Sequence, residues 1–418
     1  MACLQEGHPV RSMKLCVFFI PTLYRMRHPM LPTASLCSGS TSSLRRRAKV
    51  TPMLWIVFAC ASSVAMAADN RPPTLQGERF KELVPFHPAA QFIIGATFNY
   101  PHLDTPAEKI FKDDFQVLTP GNAFKQTAVH PRPGVWGWKK ADAMVAYAKE
   151  HGYAMRLHAP VSPQCSAWAE EDHRKPAELL QNLEEYVAGI CDRYNSEEHI
   201  RWIDVVNETV TRDGKWFGPK PGVGKWQNPW TQIGFDESHR LRPPIYIKRT
   251  FEIAGKHGPN LKLLFNQHGG MEKPMWDKAK ATVDYLRESD TRIDGVGWQA
   301  HVSAGWEKIP GNLQSLDRLI RWTHARDLEF HVTENTVWTD DPRTGTQKAQ
   351  AATFRAIVTK LAEHSKRGVV VWNVWQLCDS HIQRPQKKGT MFDTSFQPKQ
   401  SYYAVQKVLR DYSEGVEK

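Results

Sequence analysis

Residues 202–208, Trp-Ile-Asp-Val-Val-Asn-Glu, form a mostly apolar run that ends in two polar side chains, Asn207 and Glu208. Such a run reads as a buried β-strand, and a carboxylate at the carboxyl end of a buried strand seldom serves stability. Residues 330–335, Phe-His-Val-Thr-Glu-Asn, repeat the design and bring Glu334 to a second strand end. Two carboxylates delivered to one rim of a parallel sheet are what acid/base hydrolysis of a glycosidic bond requires. The pair weighs more than either Glu alone.

On both sides of these strands the chain alternates apolar runs with amphipathic helical patterns. Strands are expected at 92–98, 116–119, 154–158, 200–207, 262–266, 295–301, 328–333 and 368–374. Helices are expected at 105–115, 138–152, 176–194, 243–258, 274–289, 312–326, 346–366 and 400–412. Pro176, Pro243 and Pro274 open helices where a missing N–H costs nothing, and Gly152 and Gly258 close theirs. Eight such units predict an α/β fold, a single (β/α)8 TIM barrel with right-handed crossovers. An open doubly wound sheet is the alternative, but no Gly-rich phosphate loop follows the first strand. Closure would place Asn122, His158, Asn207, Glu208, Asn266, Gln299, His301 and Glu334 on one rim.

Several of these strand ends carry extended motifs. Asp204-Val205-Val206-Asn207-Glu208 is followed by Asp213-Gly214, and Thr333-Glu334 ends the second strand. Residues 294–301 read Asp-Gly-Val-Gly-Trp-Gln-Ala-His, residues 119–125 read Thr-Pro-Gly-Asn-Ala-Phe-Lys, and Met391-Phe392-Asp393 precedes Pro398-Lys399-Gln400-Ser401-Tyr402. Together they resemble glycoside hydrolase family ten, the retaining β-1,4-xylanases, over most of residues 91–409. The resemblance implies Glu208 as acid/base and Glu334 as nucleophile. It also implies Gln299 and His301 as supports of the nucleophile and Asn207 as partner of the sugar 2-hydroxyl. Asn122, Lys125, His158, Gln164 and Trp375 would bind substrate, with Trp372 the competitor of Trp375 for the place facing it. A polysaccharide or oligosaccharide is the expected partner, xylan or a decorated xylan first, with no metal or organic cofactor and a monomeric enzyme.

The departures from the family pattern concentrate in the sugar pocket. Gly121 stands where a Glu is usual, Gln126 replaces a Trp, and residues 158–164 lack a Trp and a second His. Asn335-Thr336 stands where Leu-Asp is common, which removes the Asp that holds the strand-six His. Ser380-His381 takes the place of Ser-Trp in the eighth loop. Trp216, Trp226 and Trp230, in a loop rich in Gly, Pro and Lys, either restore stacking on sugar rings or fold into a small core of their own. Rival readings are the same chemistry on another β-glycan or an aryl β-glycoside, and a carbohydrate-binding barrel without catalysis. Retention of both Glu residues speaks against the last.

The first 67 residues differ from the rest. Residues 53–67, Met-Leu-Trp-Ile-Val-Phe-Ala-Cys-Ala-Ser-Ser-Val-Ala-Met-Ala, form a short apolar run behind Arg45-Arg46-Arg47. This is the layout of a secretory signal, too short to span a bilayer, so residues 1–67 are expected to be an export leader and 68–418 the barrel. That places the product outside the cytoplasm, secreted or periplasmic, with no membrane attachment once the leader is gone. Eight Lys/Arg against one acidic residue in the leader account for seven of the +11 net charges, so no nucleic-acid partner is implied. Of seven cysteines only Cys165, Cys191 and Cys378 remain, an odd number without metal spacing. The exported protein is expected to begin at Ala68. Mass spectrometry of the secreted form checks this, and a retained leader would contradict it.

Overall fold

The computed structural model describes residues 75–158, 160–171, 174–219 and 228–416, so residues 1–67, expected to be an export leader, and Trp226 lie outside the described residues. Among the described residues, nine strands run β1 (Phe92–Thr97), β2 (Val117–Thr119), β3 (Ala154–Leu157), β4 (Ile200–Asn207), β5 (Lys262–Gln267), β6 (Gly295–Trp298), β7 (His301–Ser303), β8 (Glu329–Trp338) and β9 (Val370–Val374). Ten helices accompany them: α1 (Phe80–Leu83), α2 (Pro106–Asp114), α3 (Gln126–Val129), α4 (Lys139–Glu150), α5 (Pro176–Tyr194), α6 (Ile245–His257), α7 (Lys273–Glu288), α8 (Asn312–His324), α9 (Gln347–His364) and α10 (Gln400–Val416). Every ladder is parallel, and because β6 pairs with β8 as well as β5, eight strands close into a barrel.

Two expectations shift. The 295–301 strand breaks at Ala300, whose φ of 58° forces the chain out of extended geometry, and resumes as β7. The 328–333 strand runs on to Trp338 because β7 supplies a partner for its outer half, His301 opposite Thr336 and Ser303 opposite Trp338. Pro274 falls at the second rather than the first position of α7, and α6 starts just after Pro244. Cys165, Cys191 and Cys378 are buried, and no disulfide joins them to one another.

Side-chain alternation divides the interior. Outward-facing strand residues such as Ile94, Met155, Ile203, Phe265 and Phe330 join the helices in one large core. Inward-facing Ile93, Val117, Ala154, Trp202, Leu264 and Val371 fill the barrel floor as a separate cluster. At this level Glu329 accepts a hydrogen bond from Trp202 Nε1 (2.8 Å), contacts His331 Nε2 (3.0 Å) and pairs with Lys262. Burial alone would raise its pKa, but the bonds and charges of His331 and Lys262 hold it down to about 2.

Because this carboxyl is depressed in the folded state, its stabilisation is complete above the unfolded carboxylate pKa and is lost as pH falls toward 2. Glu329→Gln is expected to cost about 1.5–3 kcal/mol at pH 7. It should also flatten the fall of stability across the acid range relative to wild type. Denaturant melts at neutral and acid pH measure both, and equal stabilities at pH 7 would refute the assignment.

Candidate active site

Strand ends carry the polar residues upward from this floor. Asn207 ends β4 and Glu208 follows it; Gln299 follows β6; His301 opens β7; Glu334 lies in β8; Trp375 follows β9. Asn122 and Lys125 come after β2, and His158 and Gln164 after β3. All ten line one cavity of about 540 Å³. Glu208 has φ 57°, a left-handed conformation costly for a side chain of this type, which turns it out of the strand direction.

A relay of side-chain amides connects the two carboxylates. Gln299 Nε2 donates to Glu208 Oε1 (2.9 Å) and to Asn207 Oδ1 (3.0 Å). Asn266 Nδ2 donates to the same Asn207 oxygen (3.0 Å) and to Glu334 Oε1 (3.0 Å). The orientation of the Asn266 amide is fixed from its other end, where Oδ1 accepts from Thr333 Oγ1 (2.7 Å). The second oxygen of Glu334 meets His301 Nε2 at 3.2 Å.

Below the rim lies a buried charged layer. Asp204 binds His158 Nδ1 at 2.7 Å and faces Arg156 Nε at 3.6 Å, and all three are almost fully buried. Arg156 Nη2 donates to the carbonyl of Thr333 (2.8 Å), beside Glu334. Burial pushes the Glu334 carboxyl up, but the His301 hydrogen bond and the charges of His158, His301 and Lys125 prevail and hold it down to about 2. Burial lowers the Lys125 pKa against the opposing pull of Glu334 and Glu208, and its Nζ donates to Gln164 Oε1 (2.9 Å). His268 Nδ1 stands 3.9 Å from Glu208 Oε2, and burial lowers the pKa of its ring.

The departures in the sequence have structural counterparts. A side chain at Gly121 would place its Cβ 3.1 Å from the Trp375 ring and 3.0 Å from Thr97, so the indole lies against the ground a Glu would need. Trp372 is buried, donating to Asn335 Oδ1 (2.9 Å), whereas Trp375 lines the cavity. Where an Asp was missed beside His301, Thr336 Oγ1 stands 2.8 Å from Nδ1, and a hydroxyl can donate to or accept from that nitrogen. His381 lines the cavity.

Two of the loop tryptophans lie elsewhere. Trp230 is buried, donating from Nε1 to the Ser162 carbonyl (3.0 Å), and Trp216 packs against the core beneath Lys278 Nζ at 4.7 Å. Replacement stacking by Trp230 is therefore corrected: the ring is an anchor for the loop.

Thr336, Trp338, Ile382, Gln383, Arg384 and Lys387 also line the cavity and went unassigned in the sequence. A signal existed for the first two. Glu334, Thr336 and Trp338 are alternate residues of one strand and share a face once β8 is read to its full length. Trp338 stacks on His301 at 5.9 Å, with planes 6° apart.

The chain is similar in sequence and in fold to known xylanases. The chain is 29% identical to endo-1,4-beta-xylanase A of Halalkalibacterium halodurans over 262 residues, 58% of this chain and 60% of that protein. It is 26% identical to an endo-1,4-beta-xylanase/feruloyl esterase of Xylanibacter ruminicola over 250 residues, 58% of this chain but 34% of that protein. The chain thus spans less than two thirds of the length of these relatives. Its fold matches native xylanase 10B from Thermotoga maritima with a TM-score of 0.68 at 22% identity, covering 81% of this chain and 99% of that one. The sequence model of Glycosyl hydrolase family 10 matches residues 87–408, and the chain belongs to that family.

Proposed function

We propose that the protein is a retaining endo-1,4-β-xylanase-like hydrolase of xylan or a decorated xylan. The observation that carries this reading is the amide relay through Asn207, Asn266 and Gln299, which fixes two carboxylates in one cavity and leaves each an oxygen free of it. In a retaining hydrolase the carboxyl groups flank the scissile bond about 5–5.5 Å apart. Glu208 gives its proton to the leaving oxygen while Glu334 attacks the anomeric carbon, forming a glycosyl-enzyme. Glu208 then takes a proton from water as that water attacks the same carbon and frees Glu334.

The contacts support the remaining roles. His301 and Lys125 favour the ionised nucleophile, and Asn207 faces the ring hydroxyl beside the reacting carbon. Asn122, Lys125, His158 and Gln164 offer hydrogen bonds to the sugar, and Trp375 offers a face for it. Scattered exposure of the large apolar side chains Val135, Ile245 and Ile309 supports a monomer, and the apolar run behind the Arg triplet supports a secreted or periplasmic location.

Glu208→Ala is expected to reduce kcat on xylan about 10²–10⁴-fold. Glu334→Ala should remove turnover altogether, with azide restoring it and giving the inverted glycosyl azide. Reducing-sugar assays and NMR of the azide product decide this; near-wild-type rates in either variant would end the two-carboxylate assignment.

A second test uses pH. Glu334 attacks only when ionised, and its pKa of about 2 puts loss of activity from its protonation far into acid. Lys125→Met removes one of the cations that hold it there, so the acid limb of kcat/KM should move to higher pH. An acid limb that stays in place would show that the nucleophile does not feel this charge.

A further inference from the structure

We infer that the cavity binds a sugar unit carrying a carboxylate, a uronic acid, through the guanidinium of Arg384. The inference rests on the glycanase reading above and concerns which glycan that site takes.

The stretch 382–387 passes over the cavity as part of the loop that returns from β9, and both of its legs are tied down. On one side Asp379 pairs with Lys399 (3.1 Å) and accepts from the Thr390 N–H (3.0 Å). On the other, Val337 N in the outer half of β8 donates to the Gly389 carbonyl (2.9 Å), and Thr339 N, just past the end of that strand, to the Lys387 carbonyl (2.8 Å). Arg384 N-caps a short 3₁₀ turn, with its carbonyl accepting from Lys387 N (2.9 Å). The backbone that presents its side chain is held on both sides, which lowers the entropy cost of binding there.

Charge balance then separates Arg384 from its neighbours. The acidic side chains lining the cavity are Glu208 and Glu334, and the Lys and Arg side chains are Lys125, Lys387 and Arg384. Lys125 answers to the two glutamates. Lys387 Nζ lies 2.8 Å from Asp340 and 4.0 Å above the Trp338 ring. Asp379, in the same loop, is matched by Lys399, and Asp393 accepts from the Ser395 and Gln397 N–H groups. Arg384 is exposed on the cavity wall and pairs with no carboxylate among the described residues.

An exposed arginine is ordinary on a surface; this one borders the space that also holds the catalytic pair. Plain xylose units offer only hydroxyls and ring oxygens and give a cation no counter-charge. A uronate offers two coplanar oxygens, which the guanidinium fork binds through parallel N–H···O bonds. The carboxylate could sit on a branch or on a sugar of the main chain, and the chemistry at Arg384 is the same.

The test compares kcat/KM on three neutral and acidic probes: a xylo-oligosaccharide with a glucuronosyl branch, the same compound after reduction of its carboxyl to an alcohol, and a β-1,4-linked oligosaccharide with a uronate in the main chain. Wild type should prefer an acidic compound over the reduced one by about tenfold. The preference should shrink in about 0.5 M salt, where charges are screened. Arg384→Gln, which keeps a hydrogen-bonding side chain without the charge, should bring the ratio close to one. Whichever acidic compound shows the effect identifies branch or main chain as the source. Equal rates on acidic and reduced compounds, or a preference that survives Arg384→Gln, would overturn the inference alone. Turnover of none of the three would instead overturn the glycanase reading beneath it.

Discussion

The side-chain amide of Asn266 sets the distance on which the site depends. Strands β4 and β8 are not neighbours in the barrel, since β5 and β6 lie between them, so no backbone ladder fixes one glutamate relative to the other. Asn266, projecting inward from β5, does so with one nitrogen that donates to Asn207 and to Glu334 at 3.0 Å each. Room for it exists because residue 297 is glycine: a Cβ there would come within 2.5 Å of Asn266 Oδ1. A buried amide whose donors and acceptor are all engaged is costly to disturb, because any movement leaves a polar group unpaired.

The layer beneath has a different logic. Arg156 and Asp204 are taken almost wholly out of water, and Arg156 Nε, Arg156 Nη1 and Asp204 Oδ1 find no hydrogen-bond partner among the described residues. Desolvation of such a pair commonly outweighs its attraction, so stability does not account for it. What the pair does is hold the parts above it: Asp204 orients His158, and Arg156 fixes the Thr333 carbonyl one residue before the nucleophile. The barrel therefore grades from an apolar floor, through a charged middle, to a reactive rim.

Much of this was legible in the chain. Apolar runs punctuated by Gly and Pro located all eight barrel strands, and the residues singled out at their ends line one cavity except Asn266, which is buried just behind it. The rest was hidden for identifiable reasons. The outer half of β8, Asn335 to Trp338, has no uniform apolar pattern and becomes strand only because the break at Ala300 sends β7 alongside it. Loop tryptophans carry no periodicity, so nothing local told Trp230, sealed against the Ser162 carbonyl, from a ring offered to a sugar. The wall at 381–387 comes from a loop whose course is fixed by long-range bonds to β8 and Lys399, which residue types do not announce.

The contact between Trp375 and the bare backbone at Gly121 has a consequence for how such pockets change over generations. Trp375 is anchored from its own backbone, whose N–H donates to the Asn335 carbonyl (3.1 Å), and Gln376 beside it holds φ 72°. A mutation restoring a side chain at 121 would meet the indole, and a mutation shrinking the indole first would open a gap over a glycine that cannot fill it. The two positions are thus coupled: what either can hold depends on the room the other leaves. Library designs that vary the positions one at a time do not sample combinations in which a larger residue at 121 is matched by a smaller ring at 375.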